Sequence, residues 1–147
     1  MLKICLISDS HGNKDKIEDL LFNNTFDYIF FMGDGLRDFK DYYLENLKMV
    51  SGNCDLFSDE PFTTFVKIQD KKIMITHGHV YKAKLTKMLM ANYAKEQNCD
   101  IVCYGHTHCQ KDESVNGVRL INPGAFKNGE YAILKIENNK VEVSFIK

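Results

Sequence analysis

A chain of 147 residues, 44% of them apolar, is long enough to bury one sizeable core and short for two. Lysines and arginines nearly balance the acids, with a formal net charge of -1 and no block of one sign, so nothing draws the chain generally toward nucleic acid or an anionic membrane. No run of about 18 apolar residues offers a membrane span. Met1 to Cys5 lacks the basic-then-apolar layout of a signal peptide, and five cysteines without CxxC spacing suit a reducing cytoplasm better than a disulfide framework.

Leu2 to Ser8 is nearly all apolar, the pattern of a strand buried on both faces, and it ends in Asp9-Ser-His-Gly-Asn13. Ile17, Leu20 and Leu21 then recur at helical spacing, with Asn13 placed to cap the start. Tyr28 to Met32 reads as a second buried strand, ending in Gly33-Asp34-Gly35, and Arg37 to Leu47 as a helix with one packed face. Lys48 to Ser51 is a short third strand, ending in Gly52-Asn53-Cys54-Asp55. This repeated strand-loop-helix grammar favours parallel strands with right-handed crossovers.

The pattern then changes. Phe62 to Ile68 and Lys72 to Thr76 flank a short turn and predict a hairpin, whose second strand ends in His77-Gly-His79. From Lys82 to Gln97 a helix is expected, with Leu85, Met88, Leu89 and Tyr93 as its core stripe. Asp100 to Tyr104 is another buried strand, followed by Gly105-His106-Thr107-His108. The rest predicts antiparallel pairing: Glu113 to Val115 against Val118 to Ile121 through Asn116-Gly117, then Tyr131 to Ile136 against Val141 to Ile146. No linker, repeat or low-complexity tract appears, so residues 1–147 are expected to form one α/β domain of two mixed sheets packed face to face, with helices outside.

All five histidines follow apolar strand-like runs. Loops at the carboxyl ends of parallel-type strands share one edge, where ligands bind. Asp9, His11, Asp34, Asn53, His77, His106 and His108 would therefore meet in one crevice. Seven oxygen and nitrogen donors exceed one four-coordinate ion and suit two ions sharing a carboxylate. Gly33, Gly52, Gly78 and Gly105 adjoin these donors and allow close backbone approach. A His/Asp/Asn set without an obligatory thiolate suits manganese, iron, nickel or zinc rather than a structural zinc cluster.

Asp-x-His, Gly-Asp, Gly-Asn, His and Gly-His-x-His, in this order, resemble the calcineurin-like metallophosphoesterases. Gly52-Asn-Cys-Asp55, Thr76-His-Gly-His79 and Asn122-Pro-Gly-Ala125 resemble the small single-domain bacterial and archaeal phosphodiesterase branch. The resemblance implies a sandwich of two sheets flanked by helices. It places Asp9, His11, Asp34 and His108 on one metal, and Asp34, Asn53, His77 and His106 on a second, with Asp34 bridging. Asp34, Asn53 and His77 become the catalytic candidates. The cofactors implied are two divalent ions, manganese foremost and nickel, iron, zinc or magnesium as alternatives. The activity implied is phosphodiester hydrolysis by in-line attack of a metal-bridging hydroxide on a small phosphoester substrate.

One departure stands out. Many relatives carry a histidine where this chain has Cys54, and a neutral thiol is a poor proton donor. Esters with acidic leaving groups, such as aryl diesters, should therefore be favoured. Cys54, Asp55 and His79 are candidates for substrate contact or for orienting a ligand. Arg37, Lys82 and Lys84 fall near the crevice and could meet phosphate, although charge on such segments usually serves solvation. Cys109 is not expected to ligate. The competing reading is a non-catalytic protein-interaction scaffold on the same fold. The resemblance includes a retromer subunit of that kind, and retention of all seven donors argues for catalysis. A homo-oligomer stays open.

Overall fold

The apolar run that opens the chain becomes a central strand. The computed structural model describes residues 1–147. In chain order its elements begin with β1 (Leu2–Ile7), α1 (Lys14–Asn23), β2 (Tyr28–Phe31), β3 (Leu47–Met49), β4 (Thr63–Ile68) and β5 (Lys71–Thr76). They continue with α2 (Met88–Glu96), β6 (Ile101–Cys103), β7 (Lys111–Val115), β8 (Val118–Asn122), β9 (Tyr131–Glu137) and β10 (Lys140–Ile146). Short 3-10 turns lie at Leu36–Phe39, His79–Tyr81 and Phe126–Asn128.

Two mixed five-stranded sheets result, ordered β10-β9-β1-β2-β3 and β4-β5-β6-β8-β7. β1, β2 and β3 are parallel in the first, as are β5, β6 and β8 in the second, and the hairpins supply the antiparallel outer strands. Alternation along β1 divides its side chains between two cores. Ile4 and Leu6 point between the sheets and pack with Phe30, Ile73, Ile75 and Ile101. Cys5 and Ile7 point outward onto Ile17 and Leu20 of α1 and onto Phe39. On the far side, Met74, Val102 and Leu120 receive α2. Burying both faces of each central strand supplies about 25 cal/mol per Å² of apolar surface removed from water. It also holds the carboxyl ends of β1, β2, β5 and β6 rigidly beside one another.

Three local expectations are corrected. Arg37 to Leu47 is not a helix: bonds of the i+3 type, Asp38 N–H to Gly35 O and Lys40 N–H to Arg37 O, close only a 3-10 turn. Asp38 is pulled inward to a buried partner, and the run of aromatic residues that follows is a weak helix former. The helix expected from Lys82 shortens to α2 because Lys82 sits in the left-handed region, at φ 55. Its core face is also a different one. Met90, Ala91 and Ala94 are fully buried, whereas Leu85 is 83% exposed and Met88 and Leu89 nearly half exposed. The alanines let the helix backbone lie close to the sheet, a packing that residue size decides and hydrophobicity alone does not reveal. Tyr93, from the expected stripe, is half-buried and stacks on Tyr81. Third, Asn13 precedes α1 without capping it; its side-chain amide donates to Phe126 O instead.

Candidate metal centre

The loops that leave β1 and β2 are stitched to each other, as are those that leave β5 and β6, before any side chain is considered. Asp9 N–H donates to Gly33 O, His11 N–H to Asp34 O and Gly105 N–H to His77 O, at 2.9, 3.1 and 3.0 Å. Five of the seven predicted donors take left-handed backbone conformations: Asp9 at φ 55, His11 at 45, Asp34 at 63, His106 at 70 and His108 at 60. Non-glycine residues there cost on the order of 1–3 kcal/mol each unless their surroundings impose the geometry, and such residues cluster at functional sites. Two glycines make the crowding possible. A Cβ on Gly52 would run into the Asp34 carboxylate, and one on Gly105 into Ser8 and Asp9.

All seven donors reach one crevice, in two overlapping groups. In the first, His108 Nε2 stands 3.1 Å and His11 Nε2 3.7 Å from Asp9 Oδ1. In the second, His77 Nε2 lies 3.3 Å from Asp34 Oδ2, 3.0 Å from Asn53 Oδ1 and 3.2 Å from His106 Nδ1. Asp34 Oδ2 joins the groups, since His11 Nε2 approaches it at 3.8 Å. The ligand-capable atoms of Asp9, His11 and His108 lie within 4.8 Å of one another, as do those of Asp34, His77 and His106.

Hydrogen bonding fixes which atoms face inward. Asp9 Oδ2 is occupied by the Ser8 hydroxyl at 2.6 Å and by His106 N–H, which leaves Oδ1 for the cluster. Asp34 Oδ1 accepts from Cys54 N–H and leaves Oδ2. His77 Nδ1 lies 2.6 Å from Met32 O, and a carbonyl only accepts, so Nδ1 carries the proton and Nε2 presents a lone pair. That lone pair meets the oxygens of Asn53 and Asp34, which are also acceptors. Acceptors packed against acceptors in a buried place repel unless a positive charge sits among them. A proton on His77 is one such charge. Burial opposes it, but the Asp34 hydrogen bond and the charges of Asp9 and Asp34 overcome that and raise the His77 pKa. The same pairing, against the effect of burial, holds Asp34 well below the usual carboxylate range. A divalent cation is the other solution, and the donor chemistry fits it. His106 is available as a neutral ligand, because burial and the neighbouring His77 and Lys84 push its pKa down to about 4.

The remaining candidates divide. Asp55 contacts no donor side chain; its carboxylate accepts the backbone N–H groups of Asp34, Gly35, Leu36 and Gly52 and so fixes the loop that carries Asp34. Cys54 is exposed, with its thiol within 4.8 Å of ligand-capable atoms of His11 and Asp34. Burial and the charge of Asp34 raise its pKa and keep it neutral. His79 lies outside both donor groups. Its Nδ1 is buried without a partner, its ring meets Phe62 edge-on at 5.0 Å, and burial together with His77 depresses its pKa. Arg37 lines the crevice wall, and Lys84 acts on it through the potential at His106. Asn122 holds the rim from behind, donating to Gly105 O and to the Thr107 hydroxyl.

Two supporting residues escaped sequence reasoning. Asp38 is 5% exposed and takes the Ser10 hydroxyl at 2.6 Å and Gly12 N–H at 2.9 Å, bracing the loop between Asp9 and His11. Ser8 orients Asp9. Neither stands at a spacing that marks it; only the left-handed Asp9 that brings Ser8 onto its own neighbour would have shown the second.

Residues 2–139 match the family model of the calcineurin-like phosphoesterase superfamily domain. The chain is 30% identical over 152 aligned residues to the probable metallophosphoesterase YsnB of Bacillus subtilis, covering 98% of this chain and 90% of that one. It superposes on a predicted phosphoesterase from Streptococcus pneumoniae with a TM-score of 0.84 at 23% identity, over 99% of this chain and 88% of the other. The fold is also that of wild-type Vps29 from Entamoeba histolytica, described as complexed with zinc, with a TM-score of 0.75 at 18% identity over 99% and 98% of the two chains. No helix is long and apolar enough to cross a membrane. With a family match spanning nearly its whole length, the chain belongs to the calcineurin-like phosphoesterase superfamily.

Proposed function

We propose that this chain is a metal-dependent phosphodiesterase, with Asp9, His11, Asp34 and His108 holding one divalent cation and Asp34, Asn53, His77 and His106 the second. The observation that carries the reading is the convergence of His77 Nε2, Asn53 Oδ1 and Asp34 Oδ2 as mutually facing acceptors at 3.0 and 3.3 Å, an arrangement that calls for a cation. Two such ions, manganese foremost, would acidify a water and neutralise phosphoryl oxygens. The chain's own part is positional. Asp34 serves both donor groups through Oδ2, the Met32 carbonyl holds the His77 ring in one tautomer, and Asn53 sets the outer limit of the second group. Cys54, kept neutral, cannot act as a strong acid toward the departing oxygen, so the leaving group has to be acidic in its own right. Five free thiols suit a reducing cytoplasm, the location we assign; recovery of the tagged chain from the extracellular medium would contradict it.

The test is hydrolysis of bis-p-nitrophenyl phosphate with manganese added after chelation. Turnover should need the metal and should vanish in Asp34→Ala and His108→Ala. Turnover that survives both substitutions would refute the assignment. The second reading, a protein-binding scaffold, is favoured by the exposed apolar run Leu85, Met88 and Leu89. Metal binding does not separate the two, since the superposed Vps29 is itself described with zinc. Turnover does.

A further inference from the structure

Two grooves open at the donor cluster, of about 590 and about 750 Å³, and one short segment, Asp55 to Ser58, lines both. The first groove ends at Asn53 and the second at His11 and Asp34. The segment is thus a ridge whose root lies beside the proposed metals. Its root is rigid, because the Asp55 carboxylate holds four backbone N–H groups. Its crest is apolar and uncovered: Leu56 is 76% exposed, and Phe57 is completely exposed in a left-handed conformation at φ 61. An aromatic ring kept in solvent on strained backbone gains nothing from folding and stabilises only what binds against it.

The grooves differ in chemistry. The first runs from Phe57 to Phe62 and His79, a wall of flat rings. The second carries Arg37 and Lys40, both exposed and with no carboxylate within ion-pairing distance. Acids are close by, but Asp38 is taken by Ser10 and Gly12 and Asp55 by the backbone, so neither pairs with the two cations. Two unpaired cations beside a groove form a site for an anion.

We infer that the substrate is a phosphodiester with two unlike arms, straddling the Leu56–Phe57 ridge: a planar ring lies in the groove of Phe57 and Phe62, and the other arm bears a second anionic group held by Arg37 and Lys40. The inference rests on the phosphodiesterase reading and adds to it which diester is taken. Phe57 and Arg37 act here as specificity residues and Lys40 assists. None of them belongs to the donor cluster.

Two probes differ only in the second anion: the 5'-p-nitrophenyl esters of thymidine 5'-monophosphate and of thymidine 3',5'-bisphosphate. The bisphosphate ester should show a KM at least about fivefold lower, the gain expected of one charge-assisted contact. In Arg37→Gln/Lys40→Gln that advantage should disappear while kcat for the monophosphate ester holds. Phe57→Asn keeps a residue that tolerates the left-handed backbone and removes the ring; KM for both esters should rise about five- to tenfold with kcat unchanged, since one stacked ring is lost. Calorimetric binding of the same two esters in EDTA reads the same preference without turnover. Equal KM values for the two esters, or their equal binding in EDTA, would overturn the two-arm assignment while leaving the phosphodiesterase intact. Hydrolysis of neither ester would instead overturn the activity on which it rests.

Discussion

Asp55 touches the side chain of no proposed metal ligand, yet its removal should weaken the centre. Its two oxygens accept from Asp34 N–H at 2.6 Å, Gly52 N–H at 2.8 Å, Gly35 N–H at 2.9 Å and Leu36 N–H at 3.0 Å. A buried bond to a charged acceptor contributes about 1.5–3 kcal/mol. This carboxylate is only part-buried, so water would recover much of each bond after truncation, and about 2–4 kcal/mol is the expected loss for all four together. For a chain of this length that corresponds to a melting point lower by about 4–16 °C. The loop carries Asp34 in a left-handed conformation, and the bond from its N–H to Asp55 is shorter than those it makes to Cys54 and His11. Losing the carboxylate should therefore also lower manganese affinity by about 10–100-fold, as removal of a ligand's support typically does. Asp55→Asn is the sharper variant: it keeps the volume but turns one acceptor into a donor facing donors, and should fall near Asp55→Ala. Urea unfolding and manganese titration of both variants provide the measurements. A stability change within about 0.5 kcal/mol, the ordinary range for a surface substitution, together with unchanged manganese affinity, would refute the argument.

Three further outcomes follow from the geometry. Manganese competes with a proton for His77 Nε2, whose pKa is raised, so affinity should fall as pH drops through that raised value and binding should release protons; calorimetry from pH 8 to pH 6 showing pH-independent affinity would contradict the His77 assignment. Cys54→His should speed alkyl diesters relative to aryl ones, up to the roughly 10²–10⁴-fold that general acid catalysis contributes, whereas an unchanged alkyl-to-aryl ratio would show that the thiol was no handicap. Met90→Ala should cost about 2–5 kcal/mol and Leu85→Ser less than about 0.5, measured by urea unfolding; the reverse order would mean that α2 packs by its other face.

The donors were legible and their posture was not. An apolar run that ends in Asp-Ser-His or Gly-His-Thr-His reads as a buried strand with ligand-type side chains at its exit, because so short an apolar run bounded by turn residues suits a strand better than a helix and leaves the next residues at the sheet's edge. That logic led seven side chains to one crevice, and the structure brings them together there. It says nothing about φ. Asp9, His11, Asp34, His106 and His108 are left-handed because the chain must turn back sharply at the sheet edge while aiming a side chain inward; aspartate and histidine enter that region more readily than most residues, but only glycine marks it strongly in a sequence. The opposite failure occurred at α2. Leu85, Met88 and Leu89 have the hydrophobicity of a core stripe, but the sheet accepts the alanine face, since a small side chain gains more by close approach than a large one held at a distance. Asp38 was hidden for a third reason, as was the way Asp55, a candidate from the sequence, acts: each accepts hydrogen bonds from backbone elsewhere in the chain, and a carboxylate in a charged stretch looks the same whether it faces water or amide protons. The proposed chemistry of this site can therefore be read from residue types, whereas the rigidity it would need resides in backbone conformation and in acids outside the donor cluster.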